Sequence, residues 1–443
     1  MTNNLIGSNT GNLVFSQAVY RLLSTQTAEL KTSGLINQNA DTINSEYDHV
    51  VIPLANAFRT AYLDTLDALS DLIEKLTVPV SVIGVGAQAS IDGVYRRGDK
   101  VATATRRFVR AVLERSPSLG VRGEFTQQYL RALGFSDEHV DVIGCPSMFM
   151  YGPNLTVTKR VEELGPHSPI ALNISPYVKA MGPISLYHAE HYPNLVYMAQ
   201  NHRTLELMLY GTYPYPEDKL EELRQCGVPV TLEHPLIAQD RVRFFLDPQT
   251  WFEHLSQYDF SFGTRIHGNI SALLAGTPAL VLAHDSRTLE LADYHQIPHR
   301  QIGSLDERAD AAELYAESDW ESLNKAHGPN WEIFASFLVR HRLTHVYEEG
   351  QSAERFDQAL AATSFPPPVR TLMGSPPEEL YAMKRTLRDL KAAVRTLRKK
   401  LQAEQRHPRG LLAAARKLVR RVRGRRRYRA SQPPSTGSTT PLT

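Results

Sequence analysis

Short apolar strands alternating with amphipathic helices predict an α/β protein built as two Rossmann-like halves, residues 1–165 and 166–350, followed by a basic helical tail. Three observations carry this. β-branched runs end repeatedly at glycines and lead into helices. The stretch VRFFLDPQTWFEHLSQYDFSFGTRIHGNISALLAGTPALVLA alone places strand, helix, strand, helix and strand in 42 residues. From Thr371 to Thr443 there are 19 Lys and Arg against 4 Asp and Glu, whereas residues 1–370 hold 30 against 43, so an acidic body carries a basic tail.

The elements follow in order. YDHVVIPLA (47–55) reads as a buried strand. RTAYLDTLDALSDLIEKL (59–76) has Leu63, Leu66, Leu69, Ile73 and Leu76 at helical spacing. VPVSVIGVGAQ (78–88) is a strand that runs into glycines, ATRRFVRAVLERS a helix, and SLGVRGEF a strand and loop. TQQYLRALGF is a helix stopped by Gly134, and HVDVIGCPSMF is a strand. In the second half SPIALNIS is a strand, LYHAEHYPN a polar loop and NLVYMAQNHRTLELMLYG a helix. NWEIFASFLVRHRLTHVYEEG (330–350) is a helix that closes the second half or crosses back onto the first. SFPPPVRTLMGSPPEE belongs to a linker over 351–379.

Composition narrows the class. Apolar residues make 42% and charged residues 22% of 443, which excludes a disordered or collagen-like chain. There is no apolar run of about 18 residues to span a bilayer, and MTNNLIGSNTGN lacks a signal-peptide pattern. Two cysteines, Cys145 and Cys226, read as reduced thiols of a cytosolic chain.

Chemistry concentrates in YDFSFGTRIHGNISALLAGTPALVLAHDSRTLELADYHQIP (258–298). An apolar strand reaches Gly263-Thr264-Arg265-Ile266-His267-Gly268, and a helix is expected from Asn269 to Ala275. In an extended strand end, Arg265 and His267 point the same way. Gly268 admits a close backbone approach, and the helix start adds free N–H groups. The product is an anion pocket at the carboxyl end of a parallel strand, with Asp285 and Arg287 on the neighbouring loop.

These residues carry a resemblance. GTRIHGNISALLAGTPAL followed by DSRTLEL resembles the signature of the polysaccharide pyruvyl transferase family. VSVIGVGAQ, LGVRGEFTQQYLRALGF and DVIGCPSMF resemble further family segments in the same order, so the likeness covers roughly residues 5–300. It implies two Rossmann-like domains in a glycosyltransferase-B-like arrangement. It also implies transfer of a pyruvyl group from phosphoenolpyruvate to a glycan or lipid-linked glycan precursor, as a ketal, with release of phosphate; no cofactor is expected beyond this donor and no metal-ligand set is assigned, while metal dependence stays open.

The same resemblance implies roles. Arg265 and Arg122 clamp the donor, and a protonated His267 steadies phosphate or acts as general acid. Arg265 and His267 form the catalytic pair. Asn9 and Asn12 meet sugar or phosphate, and Gly84 and Gly86 approach the ligand. Gly268, Asn269, Asp285 and Arg287 complete the substrate set. Relatives read V-R-D where this chain has Arg122-Gly123-Glu124, so Glu124 is the displaced candidate base. The N-terminal GSNTGN lacks the family aspartate, and Pro53–Ala57 replaces a triple-glycine turn.

Competing readings are a nucleotide-sugar glycosyltransferase using Asp285 or Glu290 for a ribose, and a non-catalytic scaffold. Gly84-Val85-Gly86 lacks a third glycine, which argues against NAD. Cys145 reads as a small buried residue, His188 and His191 as loop residues, and His341 and His345 as a solvated helix face. In the tail (380–430), Leu380, Met383, Leu387, Leu390, Val394, Leu397 and Leu401 form a heptad seam. Three readings fit that tail: a solvated helix, self-association, or docking of Arg416–Arg429 on anionic lipid at the inner membrane face. Nucleic acid is disfavoured by the scarcity of aromatic residues there. Residues 431–443 are expected to be disordered.

Overall fold

The computed structural model describes residues 9–34, 39–88, 100–374 and 376–406. The chain divides into two compact units, Met1–Gly374 and Ser375–Thr443.

The first unit is mixed α/β and holds two sets of parallel strands. In the first, β1 (Val50–Pro53) pairs with β3 (Val80–Ile83), and β5 (Leu119–Val121) with β6 (Val140–Val142). A parallel bridge between Val85 and Val121 joins the two pairs. β2 (Asn56–Phe58) and β4 (Gly86–Ala87) form a further parallel pair. The second set is a six-stranded sheet of β7 (Ile170–Asn173), β8 (Val196–Ala199), β9 (Val242–Phe244), β10 (Phe260–Gly263), β11 (Ala279–Ala283) and β12 (His299–Gln301). Its order is β12-β11-β10-β7-β8-β9, and every neighbouring pair is parallel. This is the Rossmann strand order. The chain steps outward from β7 to β9 and then returns to lay β10 beside β7. Ligands bind outside the carboxyl ends of the strands at such a reversal. β7, β10 and β11 are buried throughout, as a sheet covered on both faces requires.

The helices that matter for the site are α1 (Gly11–Leu23), α2 (Glu124–Ala132), α3 (Ile266–Leu274), α4 (Ser286–Tyr294) and α5 (Glu321–Arg340). The body does not separate at 165/166. Val14, Phe15 and Ala18 of α1 pack into the core of the six-stranded sheet. Val19 and Leu22, on its other side, join Ile83, Ile143, Phe149 and the α5 residues Phe334 and Phe337. One N-terminal helix therefore serves both sheets, because its apolar residues cover more than one face.

Other expectations need correction. Val196–Ala199 is a strand and its helix starts only at His202; a four-residue apolar run does not reveal its period. His188 and His191 lie on a helix, Met181–His191, and not in a loop. His341 and His345 are buried: His341 bridges the hydroxyls of Ser81 and Ser118, each at 2.9 Å. The supposed linker is partly ordered structure. Glu354–Ala361 is helical, Arg21 makes a two-pronged ion pair with Asp357, and Val369 pairs antiparallel with Phe244.

The second unit is described through the helix Pro377–Arg406, where Leu387, Leu390, Val394 and Leu397 are exposed. The Arg416–Arg429 cluster and the segment 431–443 lie outside the described residues. Among the described residues no helix is long and apolar enough to cross a membrane.

Candidate active site

The site forms where β7 and β10 end side by side. Gly263 closes β10 with φ +140°, and a Cβ there would lie 1.9 Å from the carbonyl oxygen of Asn173, so only glycine lets the two strand ends meet. Asn173 then ties the turn together. Its side-chain oxygen accepts the backbone N–H of Arg265 at 2.7 Å, and its amide nitrogen donates to Asn269 Oδ1 at 2.7 Å. Asn269 in turn donates to the Gly263 carbonyl at 3.0 Å. Asn269 was expected at the ligand; its amide is instead engaged within the turn.

Helix α3 begins at Ile266, earlier than the sequence suggested. Arg265 is its N-cap, and His267 already sits in the first turn. The extended strand end that would aim both side chains the same way therefore stops at Arg265. Arg265 donates Nε to the Ile174 carbonyl at 3.3 Å, lies 5.8 Å from the Tyr177 ring centre, and leaves Nη2 buried without a partner. His267 is buried, with Nε2 3.6 Å from Cys145 Sγ and its ring edge-on to Phe15.

Arg122 reaches the site from the carboxyl end of β5. It is buried and donates Nε and Nη2 to the Gly84 carbonyl, both at 3.2 Å. Gly84 and Gly86 serve this arginine. A Cβ at Gly86 would lie 2.4 Å from Arg122 Cδ, and Gly84 adopts φ +76° against Pro146 and Phe15. Gly268 likewise admits side chains of the protein, Gln200 and Asn173. Asn9, two residues before α1, accepts the Gly11 N–H at 3.0 Å, and Asn12 lies half-buried in the first turn of that helix.

Asp285 caps α4 through the Thr288 N–H at 3.1 Å and holds Arg287, whose Nε lies 2.8 Å from its Oδ2. Arg287 also points Nη2 at the Tyr177 hydroxyl, 3.4 Å away. A fourth cation escaped sequence reasoning. Arg59 follows β2, is half-buried, and lies in the electrostatic field of Arg287. Its only signal was its place just after a short strand.

These charges set protonation. Burial, reinforced by Arg122, Arg287 and Arg265, pushes the His267 pKa down to about 3. The ring is therefore neutral at physiological pH, which overturns the expected imidazolium. His284, which faces Asp285 at 3.5 Å, is pushed down to about 4, first by burial. Burial raises the Cys145 thiol, against the opposing pull of Arg122, so it keeps its proton.

Glu290 is the other residue whose role the sequence misplaced. Burial pushes its carboxyl up to about 7, while Thr126 and Arg122 pull the other way. It accepts the Thr126 N–H at 2.7 Å and the Thr126 hydroxyl at 3.1 Å, so α4 caps the start of α2. It fills the space that Gly123 leaves: a Cβ at Gly123 would lie 2.1 Å from Glu290 Cγ. A carboxylate from another helix thus sits beside the Arg122-Gly123-Glu124 turn. Glu124, the expected candidate, is exposed at the first position of α2. With Asp285 held by Arg287 and Glu290 by Thr126, both carboxylates of the ribose reading are engaged internally. His188 is engaged too, accepting the Ala311 N–H at 3.0 Å.

Comparison with known proteins adds the following. Solved structures similar to the chain include a functionally uncharacterized protein, KP1_0663, from Klebsiella pneumoniae (13% identity, TM-score 0.37, covering 66% of this chain and 89% of that one). Others are S. aureus MnaA with UDP (14%, 0.39, 81% and 97%) and a putative UDP-N-acetylglucosamine 2-epimerase from Listeria monocytogenes (14%, 0.41, 68% and 77%). No curated protein sequence matches significantly. The family model described as polysaccharide pyruvyl transferase matches residues 9–286, from just before α1 through the site to the start of α4. The chain belongs to the polysaccharide pyruvyl transferase family and is a transferase.

Proposed function

We propose that this enzyme moves a pyruvyl group from phosphoenolpyruvate to two hydroxyls of a glycan or lipid-linked glycan precursor, closing a ketal and releasing phosphate. One observation carries the reading. Arg59, Arg122, Arg265 and Arg287 act on one another or on His267 through their fields, while Asp285 pairs with Arg287 and acts, with the partly ionised Glu290, on Arg122. A surplus of roughly two to three positive charges suits a donor with a carboxylate and a phosphate, which together carry about three negative charges.

The protonation states suggest a proton route. A first acceptor hydroxyl adds its oxygen to C2 of the enol ester. The C2=C3 electron pair takes the proton of the Cys145 thiol, leaving a thiolate beside Arg122. Neutral His267 accepts the hydroxyl proton at Nδ1 and returns the one on Nε2 to Sγ, 3.6 Å away. The second hydroxyl then attacks C2, the C–O bond to phosphate breaks, and the departing phosphate takes the last proton. The arginines neutralise charge throughout.

The basic tail would hold the enzyme at an anionic inner membrane face, where lipid-linked precursors are made, or pair it with a second copy through the heptad seam. The charge excess of residues 371–443 supports the first.

The test is phosphate release from phosphoenolpyruvate in the presence of candidate glycans. Release that is lost in His267→Ala and Arg122→Met supports the reading. Saturation by a nucleotide sugar, with no response to phosphoenolpyruvate, overturns it.

A further inference from the structure

Beside the charged cluster lies a set of neutral groups that the donor chemistry leaves unused. Gln200, just past the carboxyl end of β8, is only 1% exposed, yet neither Nε2 nor Oε1 has a hydrogen-bond partner. Thr10 is equally buried, and its hydroxyl also has none. The two are held together by the backbone: Thr10 N–H donates to the Gln200 carbonyl at 3.0 Å, and Asn9 pairs with Asn201 in the antiparallel sense.

Both groups adjoin His267 through glycines. A Cβ on Gly268 would lie 2.5 Å from Gln200 Nε2, and one on Gly11 would lie 3.1 Å from His267 Nδ1. Cys145 contacts the other ring nitrogen, Nε2. Gln200 thus packs against the residue after His267, and Thr10 precedes the glycine that packs against the imidazole.

A buried amide without partners forfeits the hydrogen bonds it made to water, so a built-in ligand partner is expected. Its chemistry can be read from the amide. Oε1 needs a donor and Nε2 an acceptor. Phosphate and carboxylate only accept, so an anion satisfies half of it at most. A hydroxyl does both, and a diol can meet both ends at once.

Resting on the pyruvyl transfer reading, we propose that Gln200 and Thr10 form the acceptor subsite, binding two neighbouring hydroxyls of an uncharged sugar ring beside His267. The hydroxyl nearer Nδ1 gives up its proton there, and the second is held for ring closure.

Thermal melting of the full chain tests this, with methyl glycosides of galactose, mannose, glucose and N-acetylglucosamine as probes and phosphoenolpyruvate as the donor control. Gln200→Leu should melt no lower than wild type, because the group removed has no partner. At least one glycoside should raise the wild-type melting temperature and bind Gln200→Leu at least tenfold more weakly, while the shift with phosphoenolpyruvate is unchanged. Should that variant fail to fold, Thr10→Val carries the same comparison. Equal glycoside shifts in variant and wild type overturn the proposal, as does the absence of a shift with every glycoside. A glycoside response that depends on Gln200, with no donor response in wild type, would remove the donor reading and support the hydroxyl subsite.

Discussion

The side-chain oxygen of Asn173, at the end of β7, accepts the backbone N–H of Arg265, at the end of β10, over 2.7 Å. That bond spans the point where strand order reverses, and it fixes where the arginine leaves the backbone. Asn173→Ala would strand this N–H and leave Asn269 Oδ1 with only the weaker Ser261 hydroxyl at 3.4 Å. The loss should be about 1–3 kcal/mol for the stranded N–H, read as a lower denaturation midpoint, with phosphate release falling as well. A variant as stable and active as wild type would contradict the role given to Asn173.

Arg59 offers a direct check on the cationic cluster, because no sequence motif drew attention to it. Arg59→Ala should weaken phosphoenolpyruvate binding ten- to a hundredfold, the range for one charge-assisted hydrogen bond lost. Calorimetric titration measures it. A change below threefold would place Arg59 outside the donor site.

For Cys145, the discriminating readout is deuterium. In D₂O, wild type should place deuterium on the transferred methyl group, with Cys145→Ala slowed 10²- to 10⁴-fold, as expected for loss of a general acid. Donor affinity should hold, and Cys145→Asp should recover part of the rate. Incorporation in Cys145→Ala at the wild-type rate would assign the proton to another group.

Glu290 predicts a pH dependence of known sign. Its pKa is about 7 when folded against 4.5 as the ordinary value. Between those limits the folded chain binds more protons than the unfolded chain, so this group's contribution to stability falls as pH rises. The buried histidines act in the opposite sense: His267, near 3, and His188, near 4, favour folding as pH rises toward 6.5. The measurement is therefore the stability difference between wild type and Glu290→Gln. That difference should shrink or reverse by on the order of 3 kcal/mol as pH rises from 4.5 to 7. A flat difference would mean that Glu290 ionises like an exposed carboxylate.

Local pattern was enough to find the alternating strands and helices, the heptad-bearing helix and the turn around Gly263. Period, β-branching and glycine placement act over a few residues and are visible in order along the chain. The N-terminal boundary of α3 was not visible, because Arg265 and Ile266 suit a strand end and a helix start equally well. The same holds for Val196–Ala199.

Tertiary structure decided which groups share the site and in what charge state. Glu290 stands where Gly123 has no side chain, although the two lie 167 residues apart along the chain; the helix α4 carries it there. His267 is neutral because burial and three arginines drawn from both sheets bear on it together. Gln200 reads as an ordinary polar residue until packing buries it beside Thr10 and leaves its amide unpaired. Desolvation and Coulomb energy depend on distance in space and not on separation in sequence, which is why only the folded chain reveals them.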